Sequence, residues 1–293
     1  MSTLKNLYEK MIMAMNVEKL QIPLTAVKIY KNDVEIPKEV KNTFVNDITL
    51  TSCQAYKQGY LGDAVLLTAE NIGCIAAAIS FGLVDQNQDR PFEGSRVYTD
   101  VMKSHAENPD EFIPPTPKEF TEGIVYACMD SGRLDFALFG KNDVGRFEKV
   151  ETAKKAVAEM MAIQPATTQG VFFFNTDFDA IDIIPDVVIL NVRPVELTRI
   201  IQAYQFLTGE RVTANIGPVG AVNSDLIVRP YLTQEINITP YCIGARLLAV
   251  LDPNKLGIAF PWKKFEIMVE GMVKSQTGYP FEKYPGANPY SYE

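Results

Sequence analysis

Six short apolar runs, each closed off by Gly, Pro, Asn or Asp, are the feature that most limits the folds open to this chain. They cover 25–30, 64–68, 170–174, 186–192, 211–216 and 256–260, are rich in Val, Ile, Leu and Phe, and read as strands. Between them the periodicity changes from two to 3.6. Helices are expected over the first fifteen residues and over 97–106, 151–163, 195–207 and 262–274. In the helix over 195–207, Leu197, Ile200, Ile201, Tyr204 and Leu207 form one apolar stripe, with Pro194 at its first turn and Gly209 just past its end. Strands alternating with helices in this way predict an α/β or α+β protein, with mixed sheets and helices packed on them.

A weak internal repeat runs through the same elements. Gln54-Ala55-Tyr56, then Gly62, a strand and Asn71-Ile72-Gly73, is echoed by Gln202-Ala203-Tyr204, then Gly209, a strand and Asn215-Ile216-Gly217. Two similar α/β halves follow from it, at 1–84 and 150–276, with a cleft between them as the default site. The polar, proline-rich stretch 85–149 reads as an excursion or lid, and 277–293 as a coil tail. That tail is a candidate for packing against a second copy, so a homo-oligomer is among the expectations.

With 293 residues, 47% hydrophobic and 22% charged, the chain has material for a substantial core. A net charge of −8 without clustered Lys or Arg argues against nucleic acid. No apolar run is long enough to span a membrane, and the start lacks a signal-peptide layout, so a cytoplasmic protein is expected. Asn237-Ile238-Thr239 matches the glycosylation sequon, which has no use in that compartment.

Ordinary catalytic equipment is scarce. There is one histidine, His105, so a Cys–His pair or a His-rich metal site has little to draw on. Gly140 to Phe147 starts like a phosphate loop and then lacks its closing Lys and Ser or Thr. Asp177, Asp179 and Asp182 are either oxygen ligands for a divalent cation or a solvated turn. The four cysteines, Cys53, Cys74, Cys128 and Cys242, are scattered and carry most of the remaining chemistry. Cys53, Cys74 and Cys242 sit in polar or glycine-containing surroundings suited to an iron–sulfur cluster, whose sulfurs accept backbone N–H groups. Their plain alternative is burial as small hydrophobes. Gln54 is a candidate amide contact. Arg246, four residues beyond Cys242, is a candidate clamp for a carboxylate or phosphate, or a balance for cluster charge.

The motifs Ser52-Cys53-Gln54-Ala55, Leu67-Thr68-Ala69-Glu70-Asn71-Ile72-Gly73-Cys74, Gln202-Ala203-Tyr204, Pro230-Tyr231-Leu232 and Pro240-Tyr241-Cys242-Ile243-Gly244-Ala245-Arg246 occur in order across the chain. As a set the chain resembles the domain-of-unknown-function family 169 from about Leu20 to about Val273, with 85–149 poorly matched. The resemblance implies an anaerobic bacterial or archaeal setting and no assigned activity. It also places a cysteine in relatives where this chain has Asn223, so a site copied from them lacks one thiolate here. The expectation is a cytoplasmic cofactor-binding protein of anaerobic redox metabolism. Its [4Fe–4S] cluster sits on Cys53, Cys74 and Cys242, with Gln54, Arg246 and Asn223 around it and a small-molecule ligand or redox partner. The alternatives are a cofactor-free binder of small organic acids, or an accessory subunit with buried cysteines.

Overall fold

The structure, a computed structural model, describes residues 2–15, 22–45, 48–92, 103, 108, 110, 113–125, 147–217 and 219–275. The helix expected over 97–106, His105, Cys128, nearly all of the phosphate-loop-like stretch and the tail lie outside the described residues. In chain order the elements are α1 (Thr3–Met15), β1 (Leu24–Lys31), α2 (Lys38–Lys41), α3 (Ser52–Leu61), β2 (Val65–Leu67), α4 (Ile75–Ser80), α5 (Pro117–Thr121), α6 (Val150–Ala158), β3 (Thr168–Phe174), β4 (Val187–Val192) and α7 (Pro194–Thr208). A π-helical segment (Ala221–Val228) follows, then α8 (Arg229–Thr233), β5 (Asn237–Thr239), α9 (Ile243–Leu248), β6 (Leu256–Pro261) and α10 (Trp262–Lys274).

The six strands form one sheet in the order β2-β3-β1-β4-β6-β5. Every neighbour is antiparallel: Ala26 faces Phe174 on one side of β1, Leu24 faces Leu190 on the other, and Val188 faces Phe260. Antiparallel sheets commonly leave one face in water. This one does not, and all six residues of β4 are buried. Consecutive strand residues point to opposite faces, so Val27, Phe173 and Val187 face one layer while Ala26, Phe172 and Val188 face the other. The first layer holds α3, α4, the π segment and α9. The second holds α1, α7 and α10, whose Met11, Ile200, Ala203, Phe265 and Met268 are fully buried.

The α/β class therefore holds, in the form of one antiparallel sheet covered on both faces. The internal repeat is not confirmed. Gln54-Ala55-Tyr56 lies in α3 on one face and Gln202-Ala203-Tyr204 in α7 on the other. The run 211–216, expected as a strand, is coil. Strands from 1–84 and 150–276 also interleave, with β3 between β2 and β1. The shared tripeptide has a packing origin: it puts a small and an aromatic side chain side by side on the buried face of any amphipathic helix. Strand β5 went unread because three residues carry too little pattern. Its Asn237 is buried and donates to the Asn215 and Asp225 carbonyls, so the sequon asparagine is spent inside the fold.

Candidate functional site: three thiols at helix starts

Helix α3 lies close on β1. The Thr25 hydroxyl donates to the Tyr56 carbonyl (2.9 Å), and a Cβ at Gly59 would stand 2.7 Å from the Thr25 methyl. Its start is held by a capping box. The Gln54 backbone N–H donates to Thr51 Oγ1, while Gln54 Oε1 accepts from the Thr51 N–H and hydroxyl. Each such cap satisfies helix N–H or N-cap groups that would otherwise lack partners. Gln54, expected as a cofactor contact, thus has its amide oxygen committed to holding the helix that carries Cys53.

A second set of bonds brings Cys74 to the same place. Leu50 and Ile72 form a parallel bridge, with Leu50 N–H donating to Asn71 O (3.0 Å) and Gly73 N–H to Leu50 O (2.8 Å). Asn71 shapes the turn before it, accepting from the Thr68 N–H and donating to the Leu66 carbonyl. Leu50, just before the N-cap of α3, and Gly73, just before Cys74, are therefore tied edge to edge, and Cys74 stands at the N-cap of α4.

Cys242 arrives by a third route. Tyr241 is a non-glycine residue at φ +66°, an uncommon backbone state that needs support from its surroundings. That support is a buried hydroxyl chain: Tyr56 OH and Tyr241 OH are 2.8 Å apart, and Tyr241 donates to Asn191 Oδ1 at 2.9 Å. The turn is braced further by Arg246. Its guanidinium donates to the carbonyls of Pro240, Asp252 and Lys255 and lies 5.5 Å from the Tyr241 ring centroid. Arg246 is thus a loop brace and not an open clamp for an anion. The Cys242 sulfur folds back over α9, 3.9 Å from where a Cβ on Gly244 would stand.

The three cysteines lie in one layer: Cys53 and Cys242 belong to the same buried apolar cluster, and Cys74, half-buried, packs against it. Burial pushes the Cys53 thiol well up from its usual range, and negative charge on Cys242 and Cys74 would push it further. Burial also raises Cys74 to about 11, although the N–H groups of Ala77 and Ala76 favour its thiolate and Cys242 opposes it. All three are free cysteines. Among the described residues, no group of three or more His, Cys, Asp or Glu is already drawn together as a metal site.

Two expected residues have other tasks. Asn223 is buried in the π segment and donates to Ser80 Oγ (2.8 Å) and the Ala76 carbonyl (3.4 Å), so it joins that segment to α4. Asp182 accepts from the Thr3 N–H and hydroxyl at the start of α1, and Asp177 and Asp179 are exposed. Sequence reasoning missed Ser52, Tyr56, Tyr241 and Asn191 as parts of the site. The available signal was their position: two are direct chain neighbours of a candidate cysteine, and Tyr56 follows Cys53 on the same helix face.

The fold is that of an α/β protein with three cysteines at helix starts in the layer over one face of its sheet. The chain belongs to the family DUF169, described as uncharacterised ArCR, whose model matches residues 15–271. It is similar to an uncharacterised protein of Methanocaldococcus jannaschii, with 27% identity over 129 residues, or 44% of this chain and 54% of that protein. The match therefore spans only about half the length of that relative. No solved structure matches the chain. Among the described residues, no helix is long and apolar enough to cross a membrane.

Proposed function

We propose that this protein holds a soft, thiolate-bound cofactor, an iron–sulfur cluster of the [4Fe–4S] type, on Cys53, Cys74 and Cys242, and serves anaerobic redox metabolism in the cytoplasm. What supports this reading is that three sequence-distant cysteines lie in one layer of the fold, each at or next to the start of a helix. Burial makes a lone thiolate costly, and a polycationic cluster offsets that cost for all three at once. The amides of Ala76 and Ala77, already directed at Cys74, are the kind of donors that cluster-ligating sulfurs accept.

When bound, the cluster supplies one-electron chemistry or an open iron for a small-molecule ligand. The chain's own part is to hold the sulfurs, keep water out and brace the Cys242 turn through Tyr241 and Arg246. Binding draws the sulfurs together, since they are not preassembled. An organic acid would find less of Arg246 to bind, because its guanidinium donates to three carbonyls.

Anaerobically purified protein is expected to be brown, with iron and acid-labile sulfide in similar amounts. Replacing Cys74 by Ser should remove most of the iron. Colourless protein without iron, even after reconstitution, would return the three cysteines to the role of buried apolar side chains.

A further inference from the structure

Strands β1 and β3 part at one end of the sheet. Their ladder stops at the Ala26–Phe174 pair, and beyond it β1 continues to Leu24, which pairs only with Leu190 of β4. The chain leaving β3 turns off at Asn175, whose side-chain oxygen accepts the Asp177 N–H (2.7 Å). A cavity of about 190 Å³ lies in this fork, with Tyr8, Leu24, Tyr60 and Leu61 along its apolar side. The Tyr8 hydroxyl donates to the Ile22 carbonyl (2.7 Å), and the Tyr60 ring stands edge-on to Tyr56 with centroids 5.4 Å apart, so both rings are held in place. Leu61 is 62% exposed, an apolar side chain left in water at the opening.

The polar side of the cavity is made by Asn175, Thr176 and Asp177. Thr176 is buried, and its hydroxyl makes no hydrogen bond among the described residues. The Ser52 hydroxyl also lacks a partner, but it is sealed from solvent; that of Thr176 is not sealed, and the space beside it is the cavity. Buried hydroxyls are paired as a rule, so one that lines a cavity is placed to bind what enters it. The Asp177 carboxylate, exposed at the opening, accepts from the Asn175 amide (3.4 Å) and lies 3.6 Å from where a Cβ on Gly62 would stand. Gly62 caps α3 at φ +112°, a state glycine adopts without strain, and its missing side chain leaves room for that carboxylate. None of the described lining residues is basic, and the chain carries −8 overall, so the fork favours cations over anions.

We infer that this fork binds a free small primary amine, its ammonium donating to Asp177 and Thr176 and its apolar or aromatic body resting on Tyr8, Leu24 and Tyr60. The size agrees: an apolar cavity of about 150 Å³ takes up benzene, so one of about 190 Å³ admits a ring with a short arm. The site is separate from the cysteines and does not rest on the cofactor reading. Leu61 ends the helix that Cys53 begins, about 12 Å along its axis.

The probe is phenethylamine, titrated into the full-length protein and followed through the amide NMR signals of Asn175, Thr176 and Asp177. It should shift them saturably, while phenethyl alcohol binds about fivefold more weakly or worse, the effect of losing an ion pair at a partly solvated carboxylate. Phenylacetate should not bind. Asp177→Asn should bring the amine down to the affinity of the alcohol, and Thr176→Val should weaken the amine about threefold or more. Leu61→Lys, at an exposed position, should reject the amine and admit phenylacetate. Equal binding of amine and alcohol, shifts confined to other residues, or an amine affinity that Asp177→Asn leaves unchanged overturns the inference. If Thr176→Val does not fold, Leu61→Lys decides: undiminished amine binding rejects the site. Cys74→Ser should bind the amine as wild type does, so loss of iron and loss of amine binding are separate failures.

Discussion

Gly271→Ala is expected to destabilise the protein by on the order of 3 kcal/mol, measured by urea unfolding. Alanine is intrinsically the better residue in a helix interior by about 1 kcal/mol, so propensity alone predicts the opposite sign. The contact decides otherwise. A Cβ at Gly271 would stand 2.0 Å from the Ala203 carbonyl oxygen and 2.9 Å from its carbon, with Leu207 Cγ at 3.5 Å. The two Ala203 atoms belong to the backbone of α7, which cannot rotate away as a side chain tip could. The two helices would have to separate, opening the layer where Ile200, Phe265 and Met268 pack against the sheet. Because this layer faces away from the thiols, iron binding per folded molecule should be unaltered. Unchanged or raised stability would show that α7 and α10 are not in backbone contact.

The second large effect is a dependence of stability on pH that originates at Asp225. This carboxyl is buried in the π segment, accepts a bond from the Gly217 N–H (3.3 Å), and is raised to about 7. Burial is the dominant cause; the Gly217 N–H and the charge on Arg229 pull the other way and only partly offset it. In the unfolded chain the group titrates near its ordinary value of 3.8. The folded state therefore holds the proton more tightly. Below the unfolded value Asp225 is protonated in both states and adds no pH dependence. As pH rises from about 4 to about 7, the unfolded state loses the proton first and stability falls; above about 7 the loss is complete. A shift of about three units corresponds to at most about 4 kcal/mol. Asp225→Asn should remove this fall, so the variant gains on wild type between pH 5 and 8 and matches it near pH 4. Parallel stability curves for the two proteins across that range would refute the assignment.

Both effects arise at places where the chain breaks its own local rules. Gly271 interrupts a strong helix pattern, and an aspartate sits among Ala221, Val222, Leu226 and Ile227. Ser52 is a third such place, and Tyr241, with its positive φ, a fourth. Three of the four lie in the layer that carries the thiols. Local inconsistency of this kind gathers at functional sites, because a sequence optimised only for folding would have removed it.

The sequence by itself determined the elements whose pattern is long or strongly bounded. Helix α10 over Trp262–Lys274 and strands β1, β3, β4 and β6 were all legible, because side-chain periodicity and flanking Gly or Pro are local properties. It also singled out Cys53, Cys74 and Cys242. Tertiary structure alone decided that α3 and α7 sit on opposite faces of one antiparallel sheet, which leaves the internal repeat unconfirmed. It alone decided that Arg246 braces a loop, that Gln54 caps a helix, and that Asn223 joins the π segment to α4. The reason is range: a hydrogen-bond partner 143 residues away, as Ser80 is from Asn223, leaves no trace in local spacing. The placement of the three cysteines in one layer is of the same kind, held by the Leu50–Ile72 bridge and the Tyr56–Tyr241 hydroxyl pair across the folded chain.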